Sequence, residues 1–98
     1  MSAGSQGFNY THLSGAGTTN ILVGLGVNGA PANAGLYGGI SVNTAGTTVT
    51  VTDGNGGTTI QGIGAVTGMF AVPDPGTQLK VGLTVVIVGA ADVTVFWR

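Results

Sequence analysis

The sequence predicts an all-β fold, an antiparallel β-sandwich or small barrel of about eight short strands in a single domain. Three observations lead there. Apolar and polar residues alternate with period two, most plainly in Thr48-Val49-Thr50-Val51-Thr52 and from Leu79 to Ile87. No window of eleven or more residues carries a glycine-free helical stripe. Clusters of turn formers recur at the spacing that short strands require. With 98 residues the chain has material for one core and no second domain.

Taken in order, residues 1 to 7 show no alternation and are expected to be a flexible N-terminal arm, leaving residues 8 to 98 as the sandwich. They lack the basic and apolar regions of a secretory signal, so none is expected. Strands are expected around Phe8 to Leu13 and Asn20 to Leu25, separated by Ser14-Gly15-Ala16-Gly17. After a glycine-rich stretch from Gly26 to Gly35, Leu36 to Asn43 forms a third strand. Thr48 to Thr52 is the fourth, with two β-branched residue types on opposite faces. Asp53-Gly54-Asn55-Gly56-Gly57 tolerates positive φ and suits a hairpin into Thr58-Thr59-Ile60-Gln61. Ala65 to Val72 follows, closed by Pro73-Asp74-Pro75-Gly76. Leu79, Val81, Leu83, Val85 and Ile87 then share one strand face. After Gly89-Ala90-Ala91, Val93, Val95 and Trp97 lie opposite Thr94, Phe96 and Arg98, and these last two strands are expected to form the central hairpin.

Only 5% of the residues are charged, against about 25% in an ordinary soluble domain. They are Asp53, Asp74, Asp92, Lys80 and Arg98. Thr, Asn and Ser supply the rest of the polar surface, and they cost less to bury in a contact than Lys or Glu. The surface therefore reads as one that a partner covers. Two cations are too few for nucleic acid, and the apolar run Val81 to Ala91 is far short of a spanning helix. Enzymatic chemistry is not expected from three Asp, one His and one Lys with no Cys or Glu, and no cofactor is expected.

Motif matches are weak. Gly24-Leu25-Gly26-Val27-Asn28-Gly29 has the spacing that cradles pyrophosphate, but Ala30-Pro31-Ala32-Asn33 gives no helix to follow it. Asp53-x-Asn55 resembles the opening of a calcium loop without its closing glutamate. His12 with Ser14 and an aspartate makes a nominal triad that lacks an identifiable oxyanion site. Asn9-Tyr10-Thr11 fits the glycosylation pattern. The aromatics Phe8, Tyr10, Tyr37, Phe70, Phe96 and Trp97 read as core and interface residues, with Phe96 and Trp97 on opposite faces of one strand. Phe8, Tyr10, His12, Phe96, Trp97 and Arg98 are the candidate interface residues. The run ends on Arg98 with no polar tail, so the last strand is expected to be locked in a sheet with Arg98 against a fixed partner.

Several blocks, in order, carry a family resemblance: Tyr10-Thr11-His12 with Thr18-Thr19, Ile40 to Gly46, Thr50 to Gly54, Gly82 to Val86, and Ala91 to Arg98. In these the chain resembles small virion structural proteins of tailed bacteriophages, of the capsid decoration or cement kind. It departs from them in the Gly/Ala-rich stretch Gly24 to Gly35, where a shorter charged hairpin is expected, and in Trp97, where tyrosine is expected. The 5% charged fraction, together with apolar residues on both faces of the last two strands, leads to the expectation of a homo-oligomer, a trimer. The resemblance implies a protein made in the host cytoplasm and bound to the major capsid protein on the capsid exterior. The alternative it leaves is a neck, tail or fibre component, including a receptor- or carbohydrate-binding module.

Overall fold

The computed structural model describes residues 9–23, 35–72 and 76–98. Among these there is no helix, and nine antiparallel strands make two sheets, as the alternation predicts. The strands are β1 (Asn9–Ser14), β2 (Gly17–Leu22), β3 (Leu36–Thr44), β4 (Thr48–Asp53), β5 (Thr58–Ile63), β6 (Gly68–Ala71), β7 (Thr77–Gln78), β8 (Leu83–Val88) and β9 (Asp92–Trp97). The first sheet has the order β1-β9-β3-β6, with β7 also paired to β3; the second has the order β2-β8-β4-β5. The expected arm, Phe8, most of the glycine-rich stretch and Pro73 to Pro75 lie outside the described residues.

Apart from the β4–β5 hairpin, and β6 and β7, which both pair with β3, consecutive strands belong to different sheets. With β7 set aside, this is the strand order of the eight-stranded double-sheet jelly roll. Each strand donates one face to the layer between the sheets. Ile40 and Val42 of β3 and Val93 and Val95 of β9 meet Val49 and Val51 of β4 and Leu83, Val85 and Ile87 of β8, all nearly inaccessible to solvent. Most of these residues are β-branched, so they lose little further rotamer freedom on burial and fit the pleat. Tyr37, fully buried, reaches across the layer, and its hydroxyl donates to Gln61 Oε1 at 2.5 Å. Burial pushes its phenol pKa well above the ordinary value, so it acts as a neutral donor.

The last two strands are not a hairpin. β8 lies between β2 and β4, and β9 lies between β1 and β3, so their apolar faces oppose each other across the core. The reason is the corner Gly89-Ala90-Ala91. Gly89 takes φ +86° and lies against the β3–β4 corner, where a Cβ on it would stand 2.8 Å from the Thr47 nitrogen. The Thr47 N–H donates to the Val88 carbonyl at 2.8 Å, and Ala91 is buried. The chain thus turns through the edge of the sandwich instead of back along its own sheet. The expected strand from Leu79 is also shorter, starting at Leu83. Leu79 is buried but Val81 is 56% exposed, because residues 80–82 turn around the Asp53 carboxylate. The second strand runs earlier than expected, over Gly17–Leu22, and the sixth contracts to Gly68–Ala71.

Replacing Gly89 by valine imposes both an unfavourable positive φ and a collision with the Thr47 main chain. A loss of about 1–3 kcal/mol is expected, visible as a drop in melting temperature. A variant that melts with the parent would contradict this account of the corner.

Candidate functional site

The registers place the expected interface residues. Tyr10 lies opposite Phe96, and His12 opposite Thr94. Phe96 is next to Gly39 on β3, and Gly39 is opposite Ala71 on β6; Thr94 is next to Ser41, which is opposite Met69. Directly opposed residues of an antiparallel pair share a face. Two rows therefore cross the outside of the first sheet, Tyr10-Phe96-Gly39-Ala71 and His12-Thr94-Ser41-Met69. Tyr10 is 72% and Met69 55% exposed, and Phe96 is half-buried.

Polar groups on this face are engaged locally. His12 Nε2 meets Asp92 Oδ1, the diagonal neighbour two residues before Thr94. Ser41 Oγ donates to Asn43 Oδ1 at 3.2 Å, and Asn43 Nδ2 donates to Thr94 Oγ1 at 3.5 Å. The face thus offers aromatic, thioether and uncharged polar surface, with one histidine–carboxylate hydrogen bond closed on itself. Such a mixture suits a protein contact, where aromatics and Met are enriched and unpaired charge is scarce.

Of the other expected interface residues, Trp97 turns inward. It packs against the core cluster and its Nε1–H donates to Thr11 Oγ1 at 2.9 Å, tying β9 to β1. Arg98 N–H and C=O pair reciprocally with Leu36 at 2.8 Å, so the last strand is held on both sides. The nominal triad is brought partly together, since Ser14 is opposite Asp92. The His12 and Asp92 side chains are 57% and 37% exposed, however, on an open sheet face that excludes no water.

The outside of the second sheet has a different chemistry. Thr18, Val86, Thr50 and Gly62 form one row, and Asn20, Thr84, Thr52 and Thr59 the next. Thr84 Oγ1 donates to Asn20 Oδ1 at 2.7 Å, and Thr52 Oγ1 to the Gly54 carbonyl at 2.7 Å. At one end, Thr58, Thr59 and Ile60 of β5, Thr77 and Gln78 of β7, and Lys80 border an open cleft of about 400 Å³.

Asp53 beside that cleft was a possible calcium ligand by sequence. In the structure its carboxylate accepts the amides of Lys80 at 3.0 Å, Val81 at 2.8 Å and Gly82 at 3.2 Å. Successive amides converging on one anion form a main-chain nest. Among the described residues no cluster of three or more His, Cys, Asp or Glu could hold a metal. This clamp carries no sequence signal, because its donors belong to the main chain.

Compared with known proteins, the chain has no significant match to a family model, to a curated protein or to a solved structure.

The Asp53 clamp gives stability a definite pH dependence. Partial desolvation raises its carboxyl pKa, but the amides of Val81, Gly82 and Lys80 and the nearby Lys80 charge outweigh this and hold it below the ordinary value. Its stabilisation is present above the unfolded value near 4 and is lost as pH falls through the lower folded value. Asp53→Asn should cost about 1–2 kcal/mol at neutral pH and flatten the acid limb of a melting-temperature profile. An unchanged acid limb would show that the clamp contributes nothing.

Proposed function

We propose that this chain is a structural protein of a tailed-bacteriophage virion, a decoration or cement protein that binds the outside of the capsid and joins neighbouring major capsid proteins. The observation that carries the reading is the outer face of the first sheet, where Tyr10, Phe96 and Met69 are presented with no unpaired charged side chain among the described residues of the two rows. A lattice protein requires such a surface: weakly hydrated and cheap to desolvate. Binding stabilises the shell because only the assembled lattice is bound, so the free energy of binding adds to that of assembly. The jelly-roll strand order agrees with this by analogy alone, since the architecture serves capsid and lectin domains alike. The protein would be made in the host cytoplasm and would act as a homo-oligomer on the capsid exterior.

The cleft beside Lys80 favours a second reading, a tail or fibre module that binds a carbohydrate. Its threonine hydroxyls, Gln78 amide and Ile60 combine polar groups with an apolar wall, and its volume is within the range of ligand sites. Copy number separates the two readings. Hundreds of copies per purified particle support the lattice protein, and a handful the tail component.

The contact can be tested at Tyr10. Its side chain lies mostly in solvent, so Tyr10→Ala should change folding stability by less than about 1 kcal/mol. Co-sedimentation with capsids lacking the protein should weaken roughly tenfold, the loss that removing an interface aromatic produces. Binding equal to that of the parent would exclude this face from the contact.

A further inference from the structure

β1 is the last strand of the first sheet. β9 occupies one side of it, and no strand among the described residues pairs with the other. The direction of its main-chain groups follows from two observations. Gly15 N–H donates to the Ala91 carbonyl across the β1–β9 register at 2.9 Å, and Arg98 bonds reciprocally with Leu36 on the far side of β9. Antiparallel bonding alternates residue by residue, so Asn9, Thr11 and Leu13 bond to β9. Tyr10, His12 and Ser14 consequently aim their N–H and C=O groups at the open side.

The other sheet edges are interrupted. β6 and β7 divide one edge between a four-residue and a two-residue strand. β2 has a register shift between Asn20 and Leu22, and β5 bulges at Ile60 where the pairing steps from Gln61 to Thr59. β1 keeps one register over its six residues and contains no Gly, Pro, Lys or Glu, the devices that normally blunt an edge.

We infer that β1 is a self-association edge, at which a second copy of this chain pairs antiparallel about a two-fold axis through His12. The sequence of β1 is self-complementary in that register. His12 meets His12 of the second copy, and Tyr10 meets Ser14, so every edge residue named above both donates and accepts. The outward residues stay outward, and Thr11 faces Leu13 on the inner side. Each His12 side chain is engaged by Asp92 of its own copy. The contact is isologous, as closed dimers require. One strand buries less than the roughly 1,200–2,000 Å² of a tight interface, so the dimer is a weak one that forms as concentration rises. The inference does not depend on the lattice-binding reading.

The test uses the isolated full chain. Sedimentation equilibrium should give a monomer–dimer equilibrium. Amide exchange followed by NMR should show Tyr10, His12 and Ser14 gaining protection in step with the dimer, while Thr11 and Leu13 are protected at every concentration. His12→Pro removes the central donor at an edge position that tolerates proline, and should raise the dimer dissociation constant roughly tenfold or more. His12→Thr keeps the N–H and should dimerise like the parent. If the proline variant does not fold by circular dichroism, exchange on the unaltered chain decides. A monomer up to millimolar concentration, a trimer, or protection of these amides independent of concentration would overturn the two-fold pairing.

Discussion

The layer of side chains between β8 and β4 on one side and β9 and β3 on the other governs the rest of the molecule. Each central strand contributes every second residue, and Leu83, Val85, Val51, Ile40, Val93 and Val95 are removed from water almost completely. At about 1.5–3 kcal/mol for each fully buried side chain, an upper estimate, this layer is the main source of stability in a chain with no disulfide and hardly any charge. To supply both halves of the layer the chain must cross repeatedly between sheets. The crossings in turn need small residues where two corners meet, which is why Gly46 and Gly89 approach main-chain atoms of the opposite corner within 3 Å of where a Cβ would stand. The Asp53 clamp belongs to the same logic. It fixes the turn that delivers β8 into the middle of the second sheet, satisfying amides that a tight turn would otherwise leave without partners.

Much of this was legible in the sequence. The alternation at Thr48 to Thr52 gave a strand, and the Asp-Gly-Asn-Gly-Gly cluster gave the hairpin after it. Leu83, Val85 and Ile87 share one face by alternation, as Val93 and Val95 do, and in each strand that face is the buried one. Their neighbours were not legible. Alternation records which face of a strand is apolar and carries no record of which strand lies beside it, so two apolar strands joined by a short link looked like a hairpin. The run from Leu79 misled for a related reason: Val81 keeps the period although its main chain turns around a carboxylate twenty-eight residues away in sequence. β7 has two residues and no period to read.

The outer face of the first sheet was partly visible in the same way. Phe96 and Trp97 had to point to opposite sides, and they do: Trp97 is held in the interior by its bond to Thr11, and Phe96 is left on the outer face. That Tyr10, Met69 and Ala71 join Phe96 there depends on β1 and β6 flanking the β9–β3 pair, a matter of topology. The His12–Asp92 pair shows the same dependence, since eighty residues separate its members in the chain.

The two faces of the sandwich differ in what they ask of a partner. The threonine-rich side of the second sheet satisfies several of its hydroxyls internally, as at Thr84 and Thr52, both of them buried. The first sheet exposes aromatic and thioether surface and, at β1, main-chain groups facing outward from its edge. Face and edge meet at Tyr10 and His12, which contribute side chains to the one and amides to the other. A strand pairing at this edge would continue the sheet and set two copies of the Tyr10–Phe96 row side by side in one surface. Each copy would then bind a repeating partner with its neighbour already in place, and the second contact would form at the high effective concentration that a fixed linkage provides. A weak edge and a modest apolar face would in that way reinforce one another on a lattice, although neither is large enough to bind tightly alone.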